Sequence, residues 1–217
     1  RASCGRGASA DENARKRGIA LQSLSFPSMA RPGLDKGRGG KLVAEYWDVY
    51  DENRNKTGAL HRRGDPFGPG ERHLGVEIWT LDGQGRVLLT RRDLRKRFGG
   101  LWECPGGSAL VGEDSRTAVR RELREETGLD LGDAEPELLG ETRTQTRAFV
   151  DTYAVRLPFA LADVRLQEGE TIDARLASFD EVERAILEGA PWLAGPVRER
   201  MLPLLSKLRT FRARAKK

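Results

Sequence analysis

The residues whose types and spacing most directly suggest chemistry are three glutamates near the middle of the chain, Glu122, Glu125 and Glu126. Residues three and four positions apart in a helix lie on one face, so a helix here would hold the three carboxylates together. Like charges this close repel each other, and the cluster is costly unless a cation neutralises it. Such oxygen ligands suit Mg²⁺ or Mn²⁺, which leave positions for water and phosphate oxygens. The alternative is a solvated helix face on which neighbouring arginines pair with the glutamates.

The sequence predicts that helix from Asp114 to Thr127. Asp114, or the serine after it, can accept hydrogen bonds from the first free amides of the helix. Val119 and Leu123 are four residues apart and form an apolar stripe that can pack against the rest of the fold. Gly128 follows at the place where a helix commonly ends in a left-handed residue.

The stretch 107–129 has a longer pattern around this helix. It begins with a glycine, carries Glu113 six residues later, and places Arg121 directly before Glu122. The pattern Gly-x5-Glu-x7-Arg-Glu-U-x-Glu-Glu-x-Gly-U, where U is a bulky apolar residue, resembles the Nudix box, and every fixed position is filled. This resemblance to Nudix hydrolases implies an α/β/α sandwich with a mixed sheet. It also implies metal-dependent attack of water on a diphosphate that is linked to a second organic group.

The resemblance also implies roles for the residues of the box. The family's divalent metal, Mg²⁺ or Mn²⁺, would polarise phosphate oxygens and lower the pKa of a bound water. An arginine in the box would fix a glutamate by a charge-assisted hydrogen bond. By position, the expected roles are metal ligation by Glu122 and Glu126, a further ligand or catalytic helper in Glu125, a carbonyl ligand in Gly106, orientation of a glutamate by Arg121, and an additional carboxylate in Glu113.

A second acidic segment, Leu166–Ile172, follows the box at a distance. In many Nudix hydrolases such a loop supplies a distant glutamate as a general base or an extra metal ligand. We expect Glu170 to have this role, with Glu168 as the second candidate. The alternative is that both are ordinary exposed glutamates.

The chain also resembles a particular branch of the family, the one that includes isopentenyl-diphosphate isomerase. The likeness runs from about Glu45 to about Pro196 and is carried by EYWDVYDENRNKTG, ERHLGVEIWTLDGQGRVLLTRRDLRKRFGGLWE and SFDEVERAILEGAPWLAGP. It implies that Arg92 and Lys96 stand where the isomerase holds its diphosphate. The alternative is that both belong to a basic turn in solvent.

The residues that carry out isomerisation are missing, however. The isomerase has a Cys-Gly-His stretch before its helix, and the matching positions here are Gly106, Gly107 and Ser108. Its later pair of glutamates matches Phe149 and Asp151. We therefore expect hydrolysis of a diphosphate bond in a nucleoside diphosphate derivative or related organic diphosphate. The alternatives are an isomerase-like enzyme and a non-catalytic nucleotide- or RNA-binding module. His73 does match an isomerase metal histidine, but one such residue is also common in a structural role.

The positive charge of the chain is concentrated at its two ends. The formal net charge is +5, with +6 in residues 1–41, +7 in residues 198–217 and −8 between them. An acidic centre favours a metal site over a nucleic-acid groove, whereas the basic ends keep contact with RNA or membrane phosphate open. We predict a leader at 1–40, a Nudix domain at 41–208 and a basic tail at 209–217, and a start of translation at Met29 is one hypothesis.

Cysteine usage points to a reducing compartment such as the cytoplasm, and the resemblance to Nudix hydrolases implies a small-molecule diphosphate as substrate. The two cysteines, Cys4 and Cys104, support neither a disulfide framework nor a zinc site, and Cys104 is expected to be buried and structural. No apolar run is long enough to cross a membrane. A homodimer is left open.

Apolar periodicity and turn residues predict the remaining elements. The predicted elements are a short strand and turn in 41–59, a loop at 62–70, strands at 73–81, 86–92, 137–143 and 148–156 with a turn at 82–85, and helices at 180–188 and 196–210.

Overall fold

Strands supply the centre of the fold. The computed structural model describes residues 35–36 and 42–214. The hypothesis about Met29 and most of the predicted leader lie outside these residues, as does the end of the predicted tail at 215–217. Within the leader, Asp35–Lys36 (β1) pairs with Leu42–Val43 (β2) in a short antiparallel ladder. The limits of the leader, domain and tail stay predictions.

The main sheet is mixed, as the sequence predicts. Its strands are β5 (His73–Leu81), β6 (Val87–Arg92), β7 (Trp102–Glu103), β8 (Gly106–Ser108), β9 (Glu137–Arg143), β10 (Ala148–Arg156) and β11 (Thr171–Ala177). The central path of the sheet runs β11-β6-β5-β10-β9, with β7 paired to β6 and β8 paired to β5. The β5–β10 ladder is parallel and the other ladders are antiparallel.

Strand alternation divides the apolar core between the two faces of the sheet. On β5, Val76 and Ile78 face a cluster that contains Val119 and Leu123. Trp79, on the opposite face, belongs to the cluster beneath the C-terminal helices. These layers form the predicted α/β/α sandwich. The helices are α1 (Ser115–Thr127), α2 (Phe179–Glu188), α3 (Gly195–Met201) and α4 (Leu205–Ala213), with 3₁₀ turns at Leu161–Asp163 and Leu202–Leu204.

A separate hairpin stands beside the sheet, where the sequence predicts one short strand, a turn and a loop. Tyr46–Tyr50 (β3) pairs with Lys56–Arg62 (β4). Most of β4 is exposed, so it has no alternating apolar pattern by which a strand is recognised. The turn of the hairpin is tied to the main sheet, because Arg54 donates hydrogen bonds of 2.7 Å to both carboxylate oxygens of Asp151 on β10.

The C-terminal helical region differs from the prediction in two ways. The predicted helix 196–210 is interrupted at Leu202–Leu204, where Pro203 has no N–H to donate. The chain then stays helical into the predicted tail, through Ala213. Arg209 pairs with Glu183 at 2.5 Å and Arg212 with Asp180 at 2.7 Å, so this part of the predicted tail is anchored to α2.

Candidate active site

Helix α1 begins and ends at the residues expected from its sequence. The Asp114 side chain accepts a hydrogen bond of 2.7 Å from the Thr117 amide, and Gly128 ends the helix at φ 72°. Val119 and Leu123 are fully buried against the sheet. Because these two residues fix the rotation of the helix, its glutamates point toward the neighbouring strand β8.

Two glycines let β8 approach both the sheet and the helix closely. A Cβ on Gly106 would lie 2.3 Å from the Val76 carbonyl oxygen on β5. A Cβ on Gly107 would lie 2.3 Å from a carboxylate oxygen of Glu122. The Gly106 amide donates a hydrogen bond of 3.1 Å to Glu126. The β5 backbone therefore requires a glycine at position 106, whereas a side chain at position 107 would displace the Glu122 carboxylate.

Between α1, β8 and the hairpin is a cavity of about 140 Å³, which we call the acidic cavity. It brings together most of the site residues expected from the sequence, namely the three helix glutamates, Gly106, Arg121, Lys96 and Glu170. Its walls are Glu45, Trp47, Arg63, Lys96, Gly106, Gly107, Ser108, Arg121, Glu122, Glu125, Glu126, Gln167 and Glu170.

The two most buried glutamates of α1, Glu122 and Glu126, have raised pKa values, because the positive charge near them does not offset their burial. Burial, together with the neighbouring Glu103 and Glu122 carboxylates, raises the pKa of Glu126 to about 8. Burial is also the largest cause that raises the pKa of Glu122 to about 7, and Arg121 opposes it only in part. Glu125 is different, because its side chain is 44% exposed and accepts a hydrogen bond of 3.0 Å from Arg121.

Arg121 connects the glutamates to the loop before the helix. Its guanidinium donates two hydrogen bonds of 2.9 Å to Glu113, one of 2.9 Å to the Ser108 carbonyl and one of 2.9 Å to Glu122. Burial alone would raise the pKa of Glu113, but the bonds from Arg121 and the Leu110 amide outweigh it and lower the pKa. Glu113 thus lies behind Arg121, outside the acidic cavity.

The two predicted phosphate-binding residues lie in different places. Lys96 reaches the acidic cavity, where its ammonium pairs with the Glu170 carboxylate. Burial and the neighbouring Arg92 lower the pKa of Lys96. Arg92 is not in the acidic cavity, because its guanidinium pairs with Glu103 on the adjacent strand β7. It lines a neighbouring cavity that shares the wall formed by β8.

Several residues of the site were not predicted from the sequence. Glu45, Trp47 and Arg63 come from the hairpin, and Gln167 precedes the predicted Glu170. Glu103 is a buried carboxylate close enough to raise the pKa of Glu126. The only sequence signal for Glu103 is its place directly before the Cys-Pro-Gly-Gly turn. Glu168 does not line the acidic cavity.

The donor set of the acidic cavity fits a divalent cation. Glu122 and Glu126, whose pKa values are raised, would be stabilised by one. In residues 35–36 and 42–214, no three or more His, Cys, Asp or Glu side chains form a group that could hold a metal ion. Mg²⁺ and Mn²⁺ are bound through a few carboxylates and complete their shell with water and substrate oxygens.

The residues of this chain that match the functional residues of the isomerase make structural contacts instead. Phe149 packs in the cluster beneath α1, and Asp151 is bound by Arg54. His73 is stacked on Trp47, with ring centroids 4.5 Å apart, and burial lowers its pKa to about 4. Cys104 is a buried free thiol packed among apolar residues, as expected.

Comparison with known proteins places the chain in a family. The NUDIX domain model matches residues 71–201. An uncharacterized Nudix hydrolase of Listeria monocytogenes is 34% identical over 146 residues, which cover 64% of this chain and 83% of the relative. The chain therefore belongs to the NUDIX family, and it is an enzyme of the Nudix hydrolase class.

Other similar proteins show the breadth of this family. An isopentenyl-diphosphate Δ-isomerase of Citrobacter koseri is 27% identical over 165 residues, 71% of this chain and 88% of that protein. An RNA pyrophosphohydrolase of Gluconacetobacter diazotrophicus is 32% identical over 122 residues, 46% of this chain and 70% of that protein. A crystal structure from Deinococcus radiodurans has the same fold, with a TM-score of 0.62 and 21% identity over 74% of this chain and 99% of that one.

Members of the Nudix family generally use divalent metal cations, and similar proteins include an RNA pyrophosphohydrolase and an 8-oxo-dGTP diphosphatase. In the described part of the chain, no helix is both long and apolar enough to cross a membrane.

Proposed function

We propose that this protein hydrolyses a diphosphate bond in a nucleoside diphosphate derivative or related organic diphosphate, with Mg²⁺ or Mn²⁺ as cofactor. The observation that carries this proposal is that Glu122 and the buried Glu126, on a complete Nudix helix, both have raised pKa values, because the nearby cations do not offset their burial. A binding module has no need for such a costly pair, because burying charge without full compensation destabilises the fold. A hydrolase does need the pair, because the two carboxylates would bind a cation that also contacts the phosphate oxygens of the substrate.

The neighbouring residues have roles that follow from their contacts. Glu122 and Glu126 would hold the cation, and Glu125 is near enough to add a ligand or to guide water. Arg121 keeps the glutamates in place and is itself fixed by Glu113. Gly106 remains a proposed carbonyl ligand, since the contact shown at this residue is made by its amide.

Lys96 and Glu170 supply the opposite wall of the acidic cavity. Substrate phosphate would compete with Glu170 for the Lys96 ammonium, which would free the Glu170 carboxylate. A carboxylate freed in this way can accept a proton from the attacking water, provided that it lies within hydrogen-bond reach. Arg92 would act from the neighbouring cavity, on the part of the substrate that extends past β8.

The second candidate activity is isomerisation of isopentenyl diphosphate. The similarity to the Citrobacter koseri isomerase favours it. The geometry does not, because Gly106–Ser108 offers no thiol or imidazole, and Phe149 and Asp151 are committed to the core and to Arg54. The one buried cysteine in the described residues, Cys104, has its pKa raised by burial and is a poor proton carrier.

A screen for the release of phosphate-containing products tests the proposal. The products are separated by chromatography, because cleavage of a diphosphate between two organic groups yields two phosphate monoesters and no free phosphate. The full chain would be incubated with Mg²⁺ or Mn²⁺ and with nucleoside di- and triphosphates, dinucleotides, nucleotide sugars and isopentenyl diphosphate, with Glu126→Gln as control. Metal-dependent release that the variant lacks would establish the hydrolase and its substrate class. Rearrangement of isopentenyl diphosphate without release would favour the isomerase, and nucleotide binding without any turnover would favour a binding module.

A further inference from the structure

A cleft lies next to the acidic cavity, with β8 as their common wall. It consists of a cavity of about 340 Å³ that touches Gly106–Ser108 and a cavity of about 520 Å³ farther out. The two cavities are joined, because Arg97, Phe98 and Arg200 line both. We call this joined space the outer cleft, and its volume can accept an organic group attached to a diphosphate.

One turn contributes to both the acidic cavity and the outer cleft. Lys96 lines the acidic cavity, whereas the next two residues, Arg97 and Phe98, line the outer cleft. The turn is held firmly, because Arg92 donates a hydrogen bond of 2.8 Å to the Arg97 carbonyl. A Cβ on Gly99 would lie 2.6 Å from the Leu94 carbonyl oxygen, which shows how tightly the turn is wound. Groups bound in the two spaces are thus held in a fixed relation.

Phe98 is the unusual residue of this turn. Its φ is 61°, a left-handed value that a bulky side chain adopts only at a cost in free energy. Burial of the ring does not fully offset this cost, since Phe98 is 36% exposed. The Arg97 guanidinium stacks on the ring at 4.8 Å from the centroid. An aromatic ring and a guanidinium stacked on it thus both line the outer cleft.

Hydrogen-bonding side chains line one side of the outer cleft. Its outer part is lined by the residues 142–146, which are three threonines, an arginine and a glutamine, and by Glu199. Within residues 35–36 and 42–214, neither the Gln145 amide nor the Glu199 carboxylate is used in a side-chain hydrogen bond. An aliphatic chain would bury these groups without partners, which is costly. A flat ring with hydrogen-bonding edges would satisfy them.

We propose that Phe98 is the specificity-determining residue of the proposed reaction and selects a nucleobase, which it stacks against the outer cleft. This inference rests on the proposed function and narrows its substrate to the nucleoside class. Lys96 and Phe98 are two residues apart, so their backbones are separated by at most about 7 Å. One sugar unit between base and phosphate covers such a separation. Stacking of bases on aromatic side chains is a general means of base binding, and a guanidinium adds to it.

Equilibrium binding tests the inference without requiring turnover. Calorimetry on the full chain would compare ribose 5-phosphate, which has no base, with the four common nucleoside monophosphates. We expect at least one nucleoside monophosphate to bind about tenfold or more tightly than ribose 5-phosphate, in line with the strength of one base–aromatic stack. Equal binding of all these ligands by the unaltered chain would overturn the inference.

Variants at the turn assign the effect to the ring. Phe98→Gly accepts the left-handed φ without strain and should lose the preference for the base, whereas Phe98→Tyr should keep it. Phe98→Leu, which keeps the bulk without a flat face, gives the same test if the glycine variant does not fold. Leu94→Ala is the matched control, because Leu94 is in the same turn, is 72% exposed and lines neither space. A base preference that survives in Phe98→Gly or Phe98→Leu would contradict the inference.

The two proposals fail separately. If the screen for phosphate-containing products finds no hydrolysis but Phe98-dependent base binding is present, the proposed reaction is wrong and the nucleobase site stands. If diphosphates are hydrolysed but base-free and base-bearing ligands bind equally, the reaction stands and the role of Phe98 is wrong.

Discussion

Two buried carboxylates of this protein, Asp82 and Glu126, have opposite surroundings. They are 3% and 4% exposed. Asp82, in the turn between β5 and β6, accepts hydrogen bonds from the Gln84 amide at 2.9 Å, the Arg86 amide at 2.8 Å and the Arg86 guanidinium at 2.7 Å. Glu126, in the acidic cavity, accepts one at 3.1 Å from the Gly106 amide.

The pKa values of the two groups shift in opposite directions. Burial would raise both, but the donors around Asp82 outweigh it and lower the pKa of that group. At Glu126 burial acts together with neighbouring carboxylates, and the pKa rises to about 8. Burial alone therefore does not mark a functional carboxylate. What marks Glu126 is burial without enough donors, a deficit that a bound cation can remove.

The largest expected effect is the loss of activity in Glu126→Gln. A metal ion supplies several kcal/mol to a phosphoryl-transfer transition state, so we expect kcat to fall by about 10²- to 10³-fold. The free energy of unfolding should stay the same or increase, because the variant removes a buried charge that has too few hydrogen-bond donors. Product release and urea denaturation measure the two effects. A variant that is both fully active and less stable would make Glu126 a structural residue like Asp82.

Metal binding should stabilise the protein through the acidic cavity. A ligand present at 100 times its Kd stabilises the native state by about 2.7 kcal/mol. We expect saturating Mn²⁺ or Mg²⁺ to raise the Tm of the unaltered chain and of Asp82→Asn, and chelation to reverse the rise. Glu126→Gln should respond weakly. An equal rise in all three proteins would place the cation elsewhere.

Asp82→Asn should show the reverse pattern, with loss of stability at unchanged activity. The substitution weakens hydrogen bonds that two amides and a guanidinium make to a charged acceptor, and we expect it to cost about 2 kcal/mol of unfolding free energy. Urea denaturation at neutral pH measures the cost. Activity per folded molecule is the control, since Asp82 lines neither the acidic cavity nor the outer cleft. A selective loss of kcat would contradict the structural role.

The two carboxylates also differ in how far the sequence predicts them. The environment of Asp82 follows from a local turn pattern, Asp-Gly-Gln-Gly, whose partners are at most four residues away. The α1 glutamates are likewise set by helix spacing and caps, and the structure confirms that helix. The walls opposite them come from distant segments. Glu45 and Trp47 reach the site through the hairpin, whose exposed strand β4 has no apolar alternation to reveal it.

Non-local pairing also decides features that local patterns do not reveal. The resemblance to the isomerase branch puts Arg92 and Lys96 together at the diphosphate, whereas in the structure they line different cavities. The β6–β7 ladder brings Glu103 beside Arg92, and that ion pair directs Arg92 into the neighbouring cavity. Similarly, the sequence predicts a loop over Leu166–Ile172, but β11 begins at Thr171 because it pairs with β6. Strand partners depend on the whole topology, which local patterns do not contain.

The smallest expected effect is a change with pH in the cost of Asp82→Asn. The pKa of Asp82 is lower in the folded chain than the usual 3.8, so the unfolded chain binds a proton more readily. The stability that the carboxylate contributes is thus complete above about pH 4 and is lost as pH falls through the folded pKa. We expect the stability gap between the unaltered chain and Asp82→Asn to shrink steadily from about pH 4 to about pH 2 in urea denaturation. A constant gap would show that the hydrogen bonds at Asp82 do not depend on its charge, and the contrast with Glu126 would then be one of packing alone.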